Sequence, residues 1–276
     1  MHERTSAYHR LRVTENGAWR LLKFERNHQS SMALDDPFET DIEYVNYLHL
    51  PIALKSDPHR ALVIGLGGGS LVKRMWRDYP GLEIDTVEID AQVVDIAREY
   101  FALPDDDRIR VFVDDGRAFL GCCDETYDII VVDAYDDDHI PRPLLTDEFL
   151  RTCRDHLSAD GAIAYNFIGA VSGTYSKPFR SFHRTMSNVW RNVWAFPIGS
   201  ADGVTDSTRN MVVIASDVEM TTGDLLDRIA SRAGGRVTVT GFERFGEDLY
   251  RGPIRTGDVP IISDAHPPTR KGNRRR

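Results

Sequence analysis

The chain has 276 residues, 41% of them hydrophobic and 28% charged, enough for one large α/β domain with a small appended unit. Its net charge of -9 argues against a broad nucleic-acid surface, and no apolar run approaches the roughly 20 residues of a membrane span. The start, Met1 to Thr5, lacks the basic and apolar runs of a signal peptide, so the cytoplasm is the expected compartment. Cys122, Cys123 and Cys153 form neither a disulfide framework nor a zinc pattern.

Residues 1–55 read as a small separate unit. The turn signal Glu15-Asn16-Gly17 precedes a strand candidate, Trp19 to Phe24. His28 to Ser31 and Asp35 to Pro37 read as loops. Apolar residues at 42, 45, 48 and 52 predict a helix across Ile42 to Leu54. From Ala61 strands and helices alternate. Strands are predicted at 61–64, 83–88, 109–113, 127–132 and 161–167, with helices at about 70–79, 91–101 and 146–157. Thr146 suits the N-cap of the last helix, with Asp147 and Glu148 in its first turn. Continuous apolar strands such as Tyr127 to Val132 predict a parallel sheet covered on both faces, and right-handed crossovers make it doubly wound. Segments 192–196 and 210–215 are close enough to form an antiparallel hairpin at one edge. Five parallel strands plus that hairpin is the layout of seven-strand transferases. A larger domain over 56–262 and a basic, solvated tail over 263–276 complete the expected organisation.

Ligands of an open parallel sheet bind beyond the carboxyl ends of its strands. Four successive strand ends here carry glycines or carboxylates: Gly65 to Gly69, Glu88, Asp114 to Gly116, and Asp133. Asn166 and Phe167 follow the fifth strand. Glycines let backbone approach a nucleoside, and Glu88, 23 residues after Gly65, suits the ribose hydroxyls. Ser70 stands where a dinucleotide fingerprint would need glycine. Asp115 with Gly116 suits an adenine, or equally begins a short helix. Asp133, Asp136, Asp137 and Asp138 crowd one stretch, so a neighbour's charge would raise one carboxyl toward the range of a general base. Asp133 and Asp136 are spaced to bracket one ammonium, whereas Asp137 and Asp138 read as a solvated acidic loop. A metal is not expected, because His139 has no companion ligand in a recognised spacing.

Tyr8-His9, Gln29-Ser30, Val63 to Gly69, Val87 to Asp90, Asp114 to Gly116 and Asp133 to Asp136, in that order, resemble the spermidine synthase family of aminopropyltransferases. The resemblance runs over residues 8–215. It implies a small N-terminal β-rich unit, a Rossmann-like seven-strand methyltransferase-type sheet, a homodimer, and no metal, nucleic acid or membrane. It also implies aminopropyl transfer from decarboxylated S-adenosylmethionine to a small cationic amine such as putrescine. On that reading Glu88 holds the ribose and Asp115 the adenine. Gln29, Gly65, Gly67, Gly68 and Gly116 shape the donor site, Asp133 takes a proton from the attacking amine, and Asp136 with Tyr44 holds that amine. The glycine loop departs from the family, which commonly has an Asp at the place of Gly68. That departure keeps two alternatives open: a methyltransferase using intact S-adenosylmethionine, and a non-catalytic nucleoside- or polyamine-binding protein.

Overall fold

The computed structural model describes residues 2–265 apart from Arg26, Ser56, Asp137, Asp138, Ala201 and Asp202. The acidic pair 137–138 and all but the first three residues of the expected tail therefore lie outside the described residues. Two sheets carry the chain. The first is a four-stranded antiparallel meander of β1 (His2–Thr5), β2 (Arg10–Asn16), β3 (Trp19–Phe24) and β4 (Asn27–Ala33). Asn16 pairs with Trp19, so β2 and β3 are joined by two residues, and Gly17 (φ 60°) supplies the positive φ that such a hairpin turn favours. His28 to Ser31, expected as a loop, is strand: their short polar side chains hide no pattern of period two, and pairing with β3 decides the conformation.

Residues 42–54 form two short helices rather than one, α1 (Glu43–Tyr47) and α2 (Pro51–Leu54). Pro51 has no N–H to continue a helix and instead starts the second. Val45, Leu48, Leu50 and Ile52 are buried in one core cluster with Ala61, Val63, Ile129 and Val131 of the larger sheet.

That larger sheet has seven strands: β5 (Arg60–Ile64), β6 (Glu83–Glu88), β7 (Ile109–Val113), β8 (Tyr127–Val132), β9 (Leu157–Gly169), β10 (Asn192–Pro197) and β11 (Arg209–Ser216). Their order is β10-β11-β9-β8-β5-β6-β7. Strands β9, β8, β5, β6 and β7 are mutually parallel, and β10–β11 is the antiparallel pair at one edge. The order reverses direction at β5 and β8, which places a crevice beyond the ends of those two strands. Alternate residues of the buried strands face opposite layers: Ala61 and Val63 one core, Leu62 and Ile64 the other.

The crossover helices are α3 (Ser70–Asp78), α4 (Ala91–Tyr100), α5 (Gly116–Cys122), α6 (Asp147–Asp155) and α7 (Lys177–Ser187), with α8 (Thr222–Ala230) after the hairpin. Thr146 caps α6 by accepting from Phe149 N–H, as its sequence implies. Leu11, Val13, Leu22, Phe24 and Met32 of the small sheet bury against Val93, Ile96 and Phe101 on and beside α4. The small sheet is thereby fixed over the mouth of the crevice. No helix among the described residues is long and apolar enough to cross a membrane.

Candidate active site

The crevice is a cleft of about 350 Å³. Its floor is the turn after β5. Gly65 N–H donates to Val87 O at 2.8 Å, and Asp133 N–H donates to Ile64 O at 2.9 Å, so three strand ends are tied together. Gly65 has φ 99°, and a Cβ there would lie 2.3 Å from the Asp133 carbonyl oxygen. Glycine is required at this position by conformation and by contact. Gly116 is required by contact, since a Cβ would lie 2.4 Å from Ile64 Cγ2.

Glu88 ends β6 and is 9% exposed. Its Oε2 accepts from Leu66 N–H and its Oε1 from Asp90 N–H, each at 3.0 Å. Burial pushes its pKa up, against those backbone donors, and no guanidinium or ammonium is among the groups acting on it. Gly67 N–H is a further backbone donor to this carboxylate, which also lines the cleft. Asp115 is the N-cap of α5: its Oδ1 accepts from Arg117 N–H at 3.0 Å and Ala118 N–H at 2.9 Å. The helix-start reading of Asp115 thus holds, and the same residue also lines the cleft.

Asp133 sits at the end of β8, part-buried in the cleft wall. Asn166 Nδ2 donates to its Oδ1 at 3.0 Å, and the Tyr44 hydroxyl from α1 is a second donor. Burial raises its pKa to about 6, with the two neutral donors pulling the other way. Burial and the Asp133 charge drive the Tyr44 hydroxyl well above its ordinary range, so it stays a protonated donor. Asp136 is exposed at the rim, and its N–H donates to His139 O at 2.9 Å.

The structure brings Gln29, Tyr44, Gly65, Gly67, Glu88, Asp115, Gly116, Asp133 and Asp136 to the lining of one cleft. Gly68 is turned away from it. Its N–H donates to Ser30 Oγ at 2.7 Å, and a Cβ there would meet Phe101 and Ser30 at 2.9 Å. Sequence reasoning missed two contributors. Ser30 belongs to the motif Gln29-Ser30, which does not say what the hydroxyl touches, and Asn210, whose Nδ2 donates to Asn166 Oδ1 at 3.1 Å, has no local signal. Among the described residues no group of three or more His, Cys, Asp or Glu side chains is arranged to hold a metal ion.

A family model described as the spermine/spermidine synthase domain matches residues 43–190. The chain belongs to that family. It is 32% identical over 198 residues to a polyamine aminopropyltransferase of Vibrio vulnificus, covering 66% of each chain. It is 38% identical over 162 residues to a probable polyamine aminopropyl transferase of Bifidobacterium longum, covering 59% of this chain and 35% of that one. The chain therefore spans between about a third and two thirds of the length of these curated relatives. In fold it is similar to a probable spermidine synthase from Corynebacterium glutamicum, with TM-score 0.76, 17% identity and 97% of both chains covered. It is also similar to human methyltransferase-like protein 13 in complex with SAH, with TM-score 0.55 and 23% identity over 81% of this chain and 96% of that one. Family and fold agree with the resemblance carried by the glycine loop and the strand-end carboxylates.

Proposed function

We propose that the protein is an aminopropyltransferase, moving an aminopropyl group from decarboxylated S-adenosylmethionine to a small polyamine such as putrescine. The observation that carries this reading is the charge of the cleft. Glu88, Asp114, Asp115, Asp133 and Asp136 line it, and no Lys or Arg does among the described residues. Such a wall attracts amines and a sulfonium and disfavours a ligand carboxylate.

Each residue then has a physical role. Glu88 takes the ribose hydroxyls from the glycine loop, and Asp115 faces the adenine amine. Gly65, Gly67 and Gly116 let backbone approach the nucleoside, with Gln29 closing the site from the small sheet. Asp136 and Tyr44 hold the acceptor. Asp133 accepts a proton from the acceptor's ammonium. The freed nitrogen lone pair forms a C–N bond at the carbon beside the sulfonium, the C–S bond breaks, and its electron pair stays on sulfur as methylthioadenosine leaves. Alignment of amine and carbon in the cleft supplies much of the acceleration. Because Asp133 titrates near 6, the base is ionised and competent above that pH.

One observation favours a second reading. Gly68 offers no carboxylate to a donor ammonium, and Phe101 with Ser30 fills the space beside it. That weakens discrimination against intact S-adenosylmethionine and keeps methyl transfer in view. The cytoplasmic location, the homodimer and the division at residues 55 and 262 belong to the same reading: the homodimer is implied by the resemblance, the other two by the sequence pattern. The test is a titration with each donor, with and without putrescine. Tight binding of the decarboxylated donor and release of methylthioadenosine on adding the diamine are expected. Preference for the intact donor with no methylthioadenosine released would replace this reading with the second.

A further inference from the structure

We propose that Asn166 and Asn210 form a two-amide bracket that orients the Asp133 carboxylate, with Asn210 acting as a positioning residue through Asn166. The inference rests on the reading of Asp133 as the base. Three strand ends contribute. Asp133 leaves β8, Asn166 lies on β9 and Asn210 on β11. Asn166 pairs with Val212 and Ile168 with Asn210 across the antiparallel ladder, so Asn166 and Asn210 are diagonal neighbours on one face of the sheet. Asn166 Nδ2 donates to Asp133 Oδ1 at 3.0 Å, and Asn210 Nδ2 donates to Asn166 Oδ1 at 3.1 Å. Tyr135 OH, donating to the Asn166 carbonyl at 2.9 Å, holds the backbone of the middle residue.

Chemistry sets the direction of this line. An ionised carboxylate only accepts, so Asn166 must present its nitrogen to Asp133. An amide left alone in that place is free to turn over and aim its oxygen at the carboxylate, a repulsive contact. Asn210 removes that freedom by occupying Oδ1 with a donor. Asn166 is 1% exposed, so water does not compete for its amide. The bracket is neutral. It fixes the carboxylate without the guanidinium that would hold it in a closed ion pair, and the charge of Asp133 stays available to an amine. The other groups near Asp133 are the Tyr44 hydroxyl on α1 and the Tyr135 ring after β8. Glu88, Asp115 and Asp136 line the same cleft.

The experiment reads the carboxyl itself. In full-length protein carrying ¹³C-labelled aspartate, the Asp133 resonance is assigned with D133N and titrated in wild type, N166A, N210A and the double variant. N166A is expected to raise the titration midpoint by about one unit, because a donor to the ionised form is lost. N210A raises it by less, and the double variant matches N166A, because Asn210 acts only through Asn166. The acid limb of kcat/KM follows the same order. A merely structural role would lower activity equally at all pH values and leave the midpoint in place. N210A is a change at a half-buried position, so it decides the matter even where N166A fails to fold. A wild-type midpoint in N210A, or additive shifts in the double variant, overturns the bracket. Midpoints that move as expected in a protein with no transfer activity would leave the bracket standing and remove the functional reading.

Discussion

Asp78 at the end of α3 and Asp133 at the end of β8 are both withdrawn from water, yet their acidities move in opposite directions. Burial pushes Asp78 up, but hydrogen bonds from Arg77, Thr238 and Arg74 outweigh it and hold the carboxyl below its ordinary range. Arg74 Nε lies 2.6 Å and Arg77 Nε 2.7 Å from its oxygens, and the side chain is 3% exposed. Asp133 has only an amide and a phenol, and burial raises it to about 6. The difference lies in the countercharge. Asp78 has its cations within the fold and serves the fold. Asp133 stands in a cleft whose lining has no Lys or Arg among the described residues, so an ammonium from outside is the cation that suits it. A carboxylate kept short of positive charge is a binding and proton-accepting group in waiting.

The sharpest way to break this contrast is Asp133→Asn. Loss of a general base is worth about 10²- to 10⁴-fold in turnover, read as methylthioadenosine release. Turnover near the wild-type rate would remove Asp133 from the chemistry. The same substitution reports on stability. The folded pKa of Asp133 lies above its unfolded value, so its ionisation costs folding free energy, fully above about pH 6 and not at all below about pH 4. Asp133→Asn is therefore expected to raise stability at pH 8 by up to roughly 3 kcal/mol, and to change it little at pH 4. Denaturant titrations at the two pH values check the sign.

Asp78→Asn is the opposite arm. It removes the carboxylate shared by two guanidiniums, leaving the nearly buried Arg74 only Glu39 as counter-ion, so a loss of about 3 kcal/mol is expected. Because the Asp78 pKa is lowered, its stabilisation is present above its unfolded value and is lost as pH falls through the folded one. Asp78 does not line the cleft, so turnover per folded molecule stays unchanged. A large fall in turnover from this variant would erase the distinction between the two carboxylates.

The sequence made one half of this contrast legible. Asp133 stands at the carboxyl end of an apolar strand, where topology alone assigns function, and the alternation of strands and helices from Ala61 onward follows period and length. The parallel core and its antiparallel edge are expressed in apolar runs, which is why they could be read. Three features were not expressed there. Strand β4 runs through polar residues whose conformation comes from pairing with β3. The break before α2 follows from Pro51, which the apolar spacing across 42–54 overrides on paper. The partners of Asp133 are brought in from α1 and β9 by tertiary packing, and Asn210 reaches it through Asn166 from β11, which no local pattern encodes.

Glu88→Gln tests whether the glycine loop depends on the strand-end carboxylate. Both Glu88 oxygens accept backbone N–H donors, from Leu66 and Asp90. An amide turns one of those acceptors into a donor facing a donor, at a cost of about 1–3 kcal/mol. Nucleoside affinity, measured by calorimetry with methylthioadenosine, is expected to fall about 10- to 100-fold. Unchanged affinity would show that the ribose is not held here.

The smallest expected effect concerns the join between the small sheet and the loop. Ser30 on β4 is 6% exposed, and its Oγ is the acceptor for Gly68 N–H. Ser30→Ala leaves that N–H without its partner, and a buried unsatisfied donor costs about 1–3 kcal/mol, with the lower end expected where water can enter from the cleft. Stability should fall by about 1 kcal/mol and nucleoside affinity by less than in Glu88→Gln. The ranking follows from charge: Ser30 offers the loop a neutral acceptor, at Gly68 N–H, while Glu88 offers it a charged one, at Leu66 N–H, and also accepts from Asp90. If Ser30→Ala weakened the nucleoside as much as Glu88→Gln, the loop would be held from the small sheet rather than from β6. The small sheet, which already lines the cleft through Gln29 and Ser30, would then carry the donor loop as well.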